Sequence, residues 1–298
     1  MTTSAPIAEH PKESLTPSSY ELRLPTELHR LGRRPYGLSE SGEAITEYNG
    51  KNVAASIAYM QDYIGRRAQR SIAAAASASE RRAVIRQAQE AALDQLVVML
   101  NEAIEDPRYH VTREYLLNAS NNYTYEFGVF ADDYCRAISG DPEFYFNRGI
   151  TTIPPALAAI ARPFGVRRVY EVSPGLAAKF INTDLRVVST TATSALIRWY
   201  GTEQIMRVPE QHRAVYTRFG CRAYQGTYAA IPAAVFDQPP ARVEELCCQL
   251  DGSEYCEWRF TWDLPNTART STAFVLGALL SGLSALLLTR LPALPSWR

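Results

Sequence analysis

From Asn52 the apolar residues recur at the spacing of one helix face. Val53, Ile57, Met60 and Ile64 mark that face, and Gly65 is the expected end. An Ala- and Ser-rich connector, Ser71–Ser79, leads into Glu80–Glu105, where Val84, Ala88, Ala92, Leu96, Met99 and Leu100 form a stripe that Asp106-Pro107 stops. Thr112–Ser139 is expected as a third helix, capped by Thr112 and closed at Gly140. This helical region, taken as 41–150, serves either as a layer over a sheet or as a dimer face.

After Pro154-Pro155 and Pro163-Phe164-Gly165 the pattern shortens. Val166–Val172 is expected as a strand, and Leu185–Thr191 with Ala195–Tyr200 as a hairpin. Val243–Leu250 and Tyr255–Trp262 form a second hairpin around Asp251-Gly252, a strong turn dipeptide. Pro209–Gln225 is expected as a helix across these strands, with Cys221 near its end. The fold class is therefore α+β: an antiparallel sheet of about five strands covered by helices, over 151–265.

The two ends differ from the middle. Residues 1–40 hold five prolines and little periodicity, which predicts a disordered or loosely attached arm; its basic run His29–Arg34 is expected to stay in water. No amino-terminal apolar signal segment is present. Ser271–Thr289 carries no charge over 19 residues, long enough to cross a bilayer, and 271–291 is assigned as a transmembrane helix, with a buried core helix as the alternative. Gly277, Ser281, Gly282 and Ser284 give it small residues at helix-packing spacing. Arginines on both sides leave its orientation undecided.

Charge narrows the partners. Lys+Arg 31 against Asp+Glu 31 gives no net charge, so nothing in the overall electrostatics favours nucleic acid. The five cysteines, Cys135, Cys221, Cys247, Cys248 and Cys256, are odd in number and clustered, which points to a reducing compartment and a cytoplasmic domain. Cys248 and Cys256 flank the turn of the second hairpin, with Glu245 three residues upstream. Three thiols and a carboxylate are a plausible tetrahedral zinc set; inert buried thiols or a redox pair are the alternatives. Strand alternation opposes the set, because Glu245 and Cys248 would face opposite sides. Joint ligation needs a β-bulge or a strand ending near Cys247.

The pattern Cys221…Gly226, then Glu245-x-x-Cys248-x7-Cys256 with Gly252 inside, resembles the signature of the 4-vinyl reductase domain family. That family consists of α+β small-molecule-binding domains related to heme–nitric-oxide-binding domains. The resemblance covers roughly 164–262, with a fainter similarity at Asn121–Phe127 to the amino-terminal segments of bacterial sensor proteins. It implies a structural zinc on Cys221, Glu245, Cys248 and Cys256. Ser253 stands where the family has an acidic residue, and Cys247 adds a competing thiol.

The resemblance also implies an apolar pocket between sheet and helices for a phenol, a fatty acyl chain, another lipid or a tetrapyrrole. Tyr170, Trp199, Tyr216, Tyr224 and Trp258 are the candidate lining, since each ring brings apolar area and one polar atom. The expected function is a membrane-anchored ligand-sensing domain of a bacterial signalling protein, at the inner membrane and facing the cytoplasm. A homodimer and an output module or partner are expected with it. The alternatives are a tetrapyrrole-reductase-type enzyme or accessory, and an acyl-binding scaffold subunit. No phosphate loop, His-x-x-x-His pair, nucleophile elbow or dinucleotide fingerprint is present, so no catalytic residue is assigned. His110 is expected to be exposed or capping.

Overall fold

The computed structural model describes residues 30–264, apart from 73–75, 152, 154 and 182. A two-residue strand, β1 (Tyr48–Asn49), opens the chain's first layer, and Asn49 caps α1 (Gly50–Ser71) by accepting the Lys51 N–H. Gly65 does not end this helix. It is buried mid-helix, where α2 (Ala78–Ala103) crosses so closely that an added Cβ would strike the Gln89 side chain. A capping box of Ser77 and Glu80 starts α2. Its buried stripe is Ala92, Leu93, Leu96, Leu100 and Ala103, whereas Val84 of the expected stripe is exposed.

The single helix expected over Thr112–Ser139 is three elements: α3 (Arg113–Leu117), β2 (Asn122–Tyr123) and α4 (Tyr125–Ser139). Asparagines cause the break. Asn118 accepts from the Ser120 N–H, Asn121 donates to the Tyr115 carbonyl, and β2 pairs with β1. Thr112 and Thr124 each cap a helix, and Gly140 closes α4 in the left-handed conformation at φ 68°.

The arm is not loose throughout. Residues 1–29 lie outside the described residues, but Leu31 is buried and the N–H groups of Gly32 and Arg33 donate to the buried Glu126 carboxylate at 2.9 and 3.1 Å. Arg33 is not a free cation of a solvated tail: its guanidinium grips Glu47 and donates to the Arg207 carbonyl.

Next come α5 (Phe144–Ile150), α6 (Pro155–Ala161) and α7 (Val166–Ile181). Helix α7 replaces the expected strand at Val166–Val172. Val166, Val169 and Tyr170 are buried at i, i+3 and i+4, and Arg167 and Arg168 pair with Glu171 one turn on. The sheet therefore has four strands, not five. β3 (Leu185–Thr190) and β4 (Ser194–Trp199) make the first hairpin, α8 (Thr202–Met206) and a 3-10 turn at Glu210–His212 follow, and α9 (Arg213–Ala229) and α10 (Ile231–Phe236) precede β5 (Arg242–Cys247) and β6 (Cys256–Thr261). The order is β3-β4-β6-β5, all antiparallel, so β5 is an edge strand.

One hydrophobic core runs from Leu31 to Trp262 through both halves. Its tightest seam is α5 against α9. A Cβ on Gly226 would lie 2.0 Å from the Phe146 carbonyl oxygen, and one on Gly149 would lie 2.4 Å from the Ala223 carbonyl oxygen. Among the described residues no helix is long and apolar enough to cross a membrane; the span expected at 271–291 lies outside them.

The seam makes a direct prediction. Gly226→Ala pushes backbone against backbone, which no rotamer change relieves, and should destabilise by at least the 1–3 kcal/mol, roughly, of ordinary overpacking. Gly175→Ala in α7, where an added Cβ meets nothing within 4 Å, should be neutral or stabilising by up to about 1 kcal/mol. Urea midpoints of the two variants check this; equal midpoints would contradict the seam.

Candidate metal centre

Four elements converge at one end of the sheet. Cys221 comes from the third turn of α9, Glu245 from β5, Cys248 from the residue that opens a 3-10 turn at Gln249–Asp251, and Cys256 from the first position of β6. The alternation problem is solved in both of the ways open to it. Glu245 pairs with Trp258 and Cys247 with Glu257, leaving Leu246 as the extra residue of a bulge, and β5 ends at Cys247. Gly252, at φ 86°, closes the turn.

The Sγ atoms of Cys221, Cys248 and Cys256 all lie within 4.8 Å of one another, and all three residues are buried. Cys248 and Cys256 are 3.5 Å apart, Cys221 and Cys248 4.0 Å, and Cys221 Sγ is 3.2 Å from Glu245 Oε2. A tetrahedral ion with metal–sulfur bonds near 2.3 Å requires sulfurs about 3.8 Å apart, so the donor set fits one metal. Cys247 does not join it: its thiol points to the Tyr255 carbonyl. Glu245 is exposed as a residue and reaches the cluster at Cys221.

A second layer orients these donors. Arg222 donates to Gln225 Oε1 at 2.7 Å and pairs with Glu143. The Gln225 amide nitrogen is thereby turned to Glu245 Oε2 at 2.6 Å and Cys221 Sγ at 3.4 Å. The Gln249 N–H points at Cys256 Sγ at 3.4 Å. Hydrogen bonds from Cys221 and Cys256 hold the Cys248 thiol far below its usual range, against the opposing effect of burial, and Arg218 adds a smaller electrostatic pull. Sharing that thiolate, together with burial, pushes Cys221 well up. At Cys256 the contact with Cys221 lowers the pKa, but the bond to Cys248 and burial outweigh it and carry the thiol to about 12. Each thiol must lose its proton to bind a cation, so metal binding at this cluster would release protons.

The five predicted pocket residues do not form one set. Trp199, Tyr224 and Trp258 do meet, with ring centroids 5.3 Å (Trp199–Tyr224) and 6.5 Å (Trp199–Trp258 and Tyr224–Trp258) apart. Tyr170 lies beyond one end, stacked on Trp262 at 4.5 Å and donating to the Tyr228 carbonyl. Tyr216 lies beyond the other, edge-on to Tyr125 at 5.5 Å. Tyr170, Trp199, Tyr216 and Trp258 are buried; Tyr224 is half-buried. Trp199 Nε1 donates to Thr183, but the buried Trp258 Nε1 and Tyr228 hydroxyl have no hydrogen-bond partner. Tyr228 had no place in the predicted set, although it follows Tyr224 by four residues on one helix face.

Two further buried polar groups escaped the sequence. His212 Nδ1 donates to Glu126 at 2.9 Å, both side chains buried, joining α4 to the start of α9. Asp132 is fully buried, accepts the Tyr48 hydroxyl at 2.7 Å and faces Arg148, which donates to Ser56 and to the Asn52 carbonyl. Burial drives the Asp132 carboxyl above its ordinary range, and the nearby Arg148 charge opposes this. Neither pair has a local sequence signature, since the partners lie 86 and 84 residues apart in the hydrogen bonds concerned. His110 caps, as expected, with Nε2 3.3 Å from the Ile104 carbonyl.

Comparison of the chain with protein-family models, with curated proteins and with solved structures returned no match.

The geometry separates the two adjacent cysteines. Cys248→Ser should reduce divalent-metal content to below half of wild type, whereas Cys247→Ser should leave it unchanged. Elemental analysis of protein purified under reducing conditions reads both; loss in Cys247→Ser alone would place the fourth ligand at Cys247.

Proposed function

We propose that the chain is a zinc-stapled small-molecule-binding domain of the 4-vinyl reductase type, tethered to a membrane through 271–289 and acting as the sensing part of a signalling protein. The observation that carries this reading is the convergence of the buried Cys221, Cys248 and Cys256 thiols within 4.8 Å of one another, with Glu245 beside Cys221 at 3.2 Å, in the positions that the resemblance assigns to the metal. Sulfur-rich tetrahedral donation suits zinc among the common divalent ions. Four protein ligands leave no open coordination position, so the ion would supply cross-linking, not Lewis-acid chemistry.

The ligand would lie against Trp199, Tyr224 and Trp258. Trp258 Nε1 is buried there without a hydrogen-bond partner, and the buried Tyr228 hydroxyl, also without one, belongs to the residue one helical turn beyond Tyr224, whose ring packs on Tyr170 and Phe260. Such groups are uncommon in folded proteins and favour a bound group that satisfies them. Trp258 Nε1 donates only, so a ligand with one acceptor oxygen on an apolar body, such as a phenol or an acyl carboxyl, matches the site. The same two atoms favour a sensor over a permanently acylated scaffold, because an orienting bond discriminates between ligands.

Native mass spectrometry of protein purified without added metal should show about one zinc per chain, by the four-ligand logic. A thermal-shift screen of phenols, fatty acids and porphyrins should find a stabilising class, with a gain of about 2.7 kcal/mol at a hundredfold excess over Kd. Trp199→Ala or Tyr224→Ala should abolish that gain with zinc retained. Trp258→Phe, which removes the donor together with part of the ring, should weaken binding by at least about 1–3 kcal/mol. Metal-free reduced protein with no responding ligand class would overturn the proposal.

A further inference from the structure

The described surface carries one apolar ridge that the metal centre and the aromatic cluster do not use. Leu157 and Ile160 on α6, Phe164 in the 3-10 turn that follows, and Leu264 just past β6 are 46, 68, 61 and 62 % exposed. Phe164 also borders a groove of about 550 Å³ whose walls include Phe236 and Trp262, so the ridge continues to the place where the described chain leaves the domain. Single exposed apolar residues are ordinary; four large ones together with an aromatic groove are the mark of an interaction surface.

Where the chain goes next selects the partner. Leu264 is seven peptide steps from Ser271, at most about 25 Å of extended chain. Ser271 opens the 19-residue uncharged run. If that run enters a bilayer, the ridge cannot be far from the same bilayer. Its composition suits the interface: aliphatic and aromatic side chains flanked by the exposed guanidinium groups of Arg162, Arg167 and Arg168. Each of these arginines is paired with Asp237 or Glu171, so the surface holds little net charge and its affinity would come from apolar burial, not from anionic lipid.

We propose that this ridge on α6, the start of α7 and the end of β6 is the bilayer-facing surface of the domain, seated in the headgroup and upper acyl region. The inference rests on the reading that 271–289 enters the membrane, and it adds an orientation to it. With α6 and the α7 start on the membrane, both the tether and the domain surface fix the domain to the bilayer, and the domain does not swing freely on a flexible linker.

The test uses the full chain reconstituted in phosphatidylcholine vesicles. A photoreactive diazirine amino acid is placed at Ile160, at Phe164, or at Val84, which is exposed on α2 far along the chain. Lipid adducts counted by mass spectrometry should be several-fold more abundant from positions 160 and 164 than from 84, and should change little between low and high salt. Equal yields in protein that still floats with the vesicles would overturn the orientation while leaving the tether intact. Adducts from Ile160 to peptides of 271–289 would overturn it by showing that the chain's own apolar run covers the ridge. Failure of the full chain to float at all would overturn the tether reading and this inference together.

Discussion

Helix α9 depends on one constraint, the contact of its backbone with that of α5 at Gly149 and Gly226. A helix packed through large side chains keeps its axis 8–10 Å or so from its neighbour. Here the absence of two Cβ atoms lets carbonyl oxygens of one helix approach the other directly. That approach sets both the depth and the rotation of α9. Phe219 turns to Tyr145 and Tyr48 of the helical half, while Cys221 and Gln225 turn to the end of the sheet. An alanine at either glycine would move every donor and ring that α9 carries. The helix is also buried on both sides, which is why its sequence is only weakly amphipathic.

The thiol cluster lies at a weak point of the sheet. β5 is an edge strand, and none of its six residues is fully buried. Such a strand contributes little apolar burial of its own and leaves unpaired backbone groups at the margin. Its bulge at Glu245–Cys247 interrupts the ladder further. Contacts of Glu245 and Cys248 with Cys221 tie this edge to α9, the element best fixed in the fold. In the same way Cys256 fixes the start of β6 opposite Trp199. The three thiols lie in mutual contact, with Cys248 between Cys221 and Cys256. Metal binding would complete that arrangement, with affinity falling as pH falls because each ligand must lose its proton.

The cysteine spacing, the Asp251-Gly252 turn and the first hairpin were legible because hairpin chemistry is local. The need for a bulge at Glu245–Cys247 followed from strand alternation alone. What failed was local pattern under long-range control. Val166–Val172 is Val-Arg-Arg-Val-Tyr-Glu-Val, in which β-branched residues suggest a strand while the i, i+3, i+4 spacing and the Arg–Glu pairs make a helix. Asn118–Asn122 looked compatible with a continuous helix until the pairing of β2 with β1 claimed it. The arm at 30–36 holds on through Glu126 and Glu47, contacts 94 and 14 positions away that leave no trace in composition. Tyr170 and Tyr216 were sound as core residues, but only the packing of α7 on Trp262 and the rotation of α9 place them outside the Trp199–Tyr224–Trp258 group.

The carboxylate of Glu126 shows how the two halves of the chain become one body. It accepts the Gly32 and Arg33 N–H groups and the His212 imidazole, all while buried. A buried carboxylate tolerates its loss of water only when its lone pairs are matched by donors of this kind. Truncating it would orphan three donors at once, so the strap, α4 and the start of α9 hold or fail together. Helix α9 is thus fixed at its start by Glu126 and His212, and near its end by the glycine seam, with Cys221 and Tyr224 between them. The Cys221 thiol and the Tyr224 ring sit on the stretch of helix least free to move on its own. A change at either site must therefore be taken up by the sheet edge at β5 or by movement of the helical half as a unit.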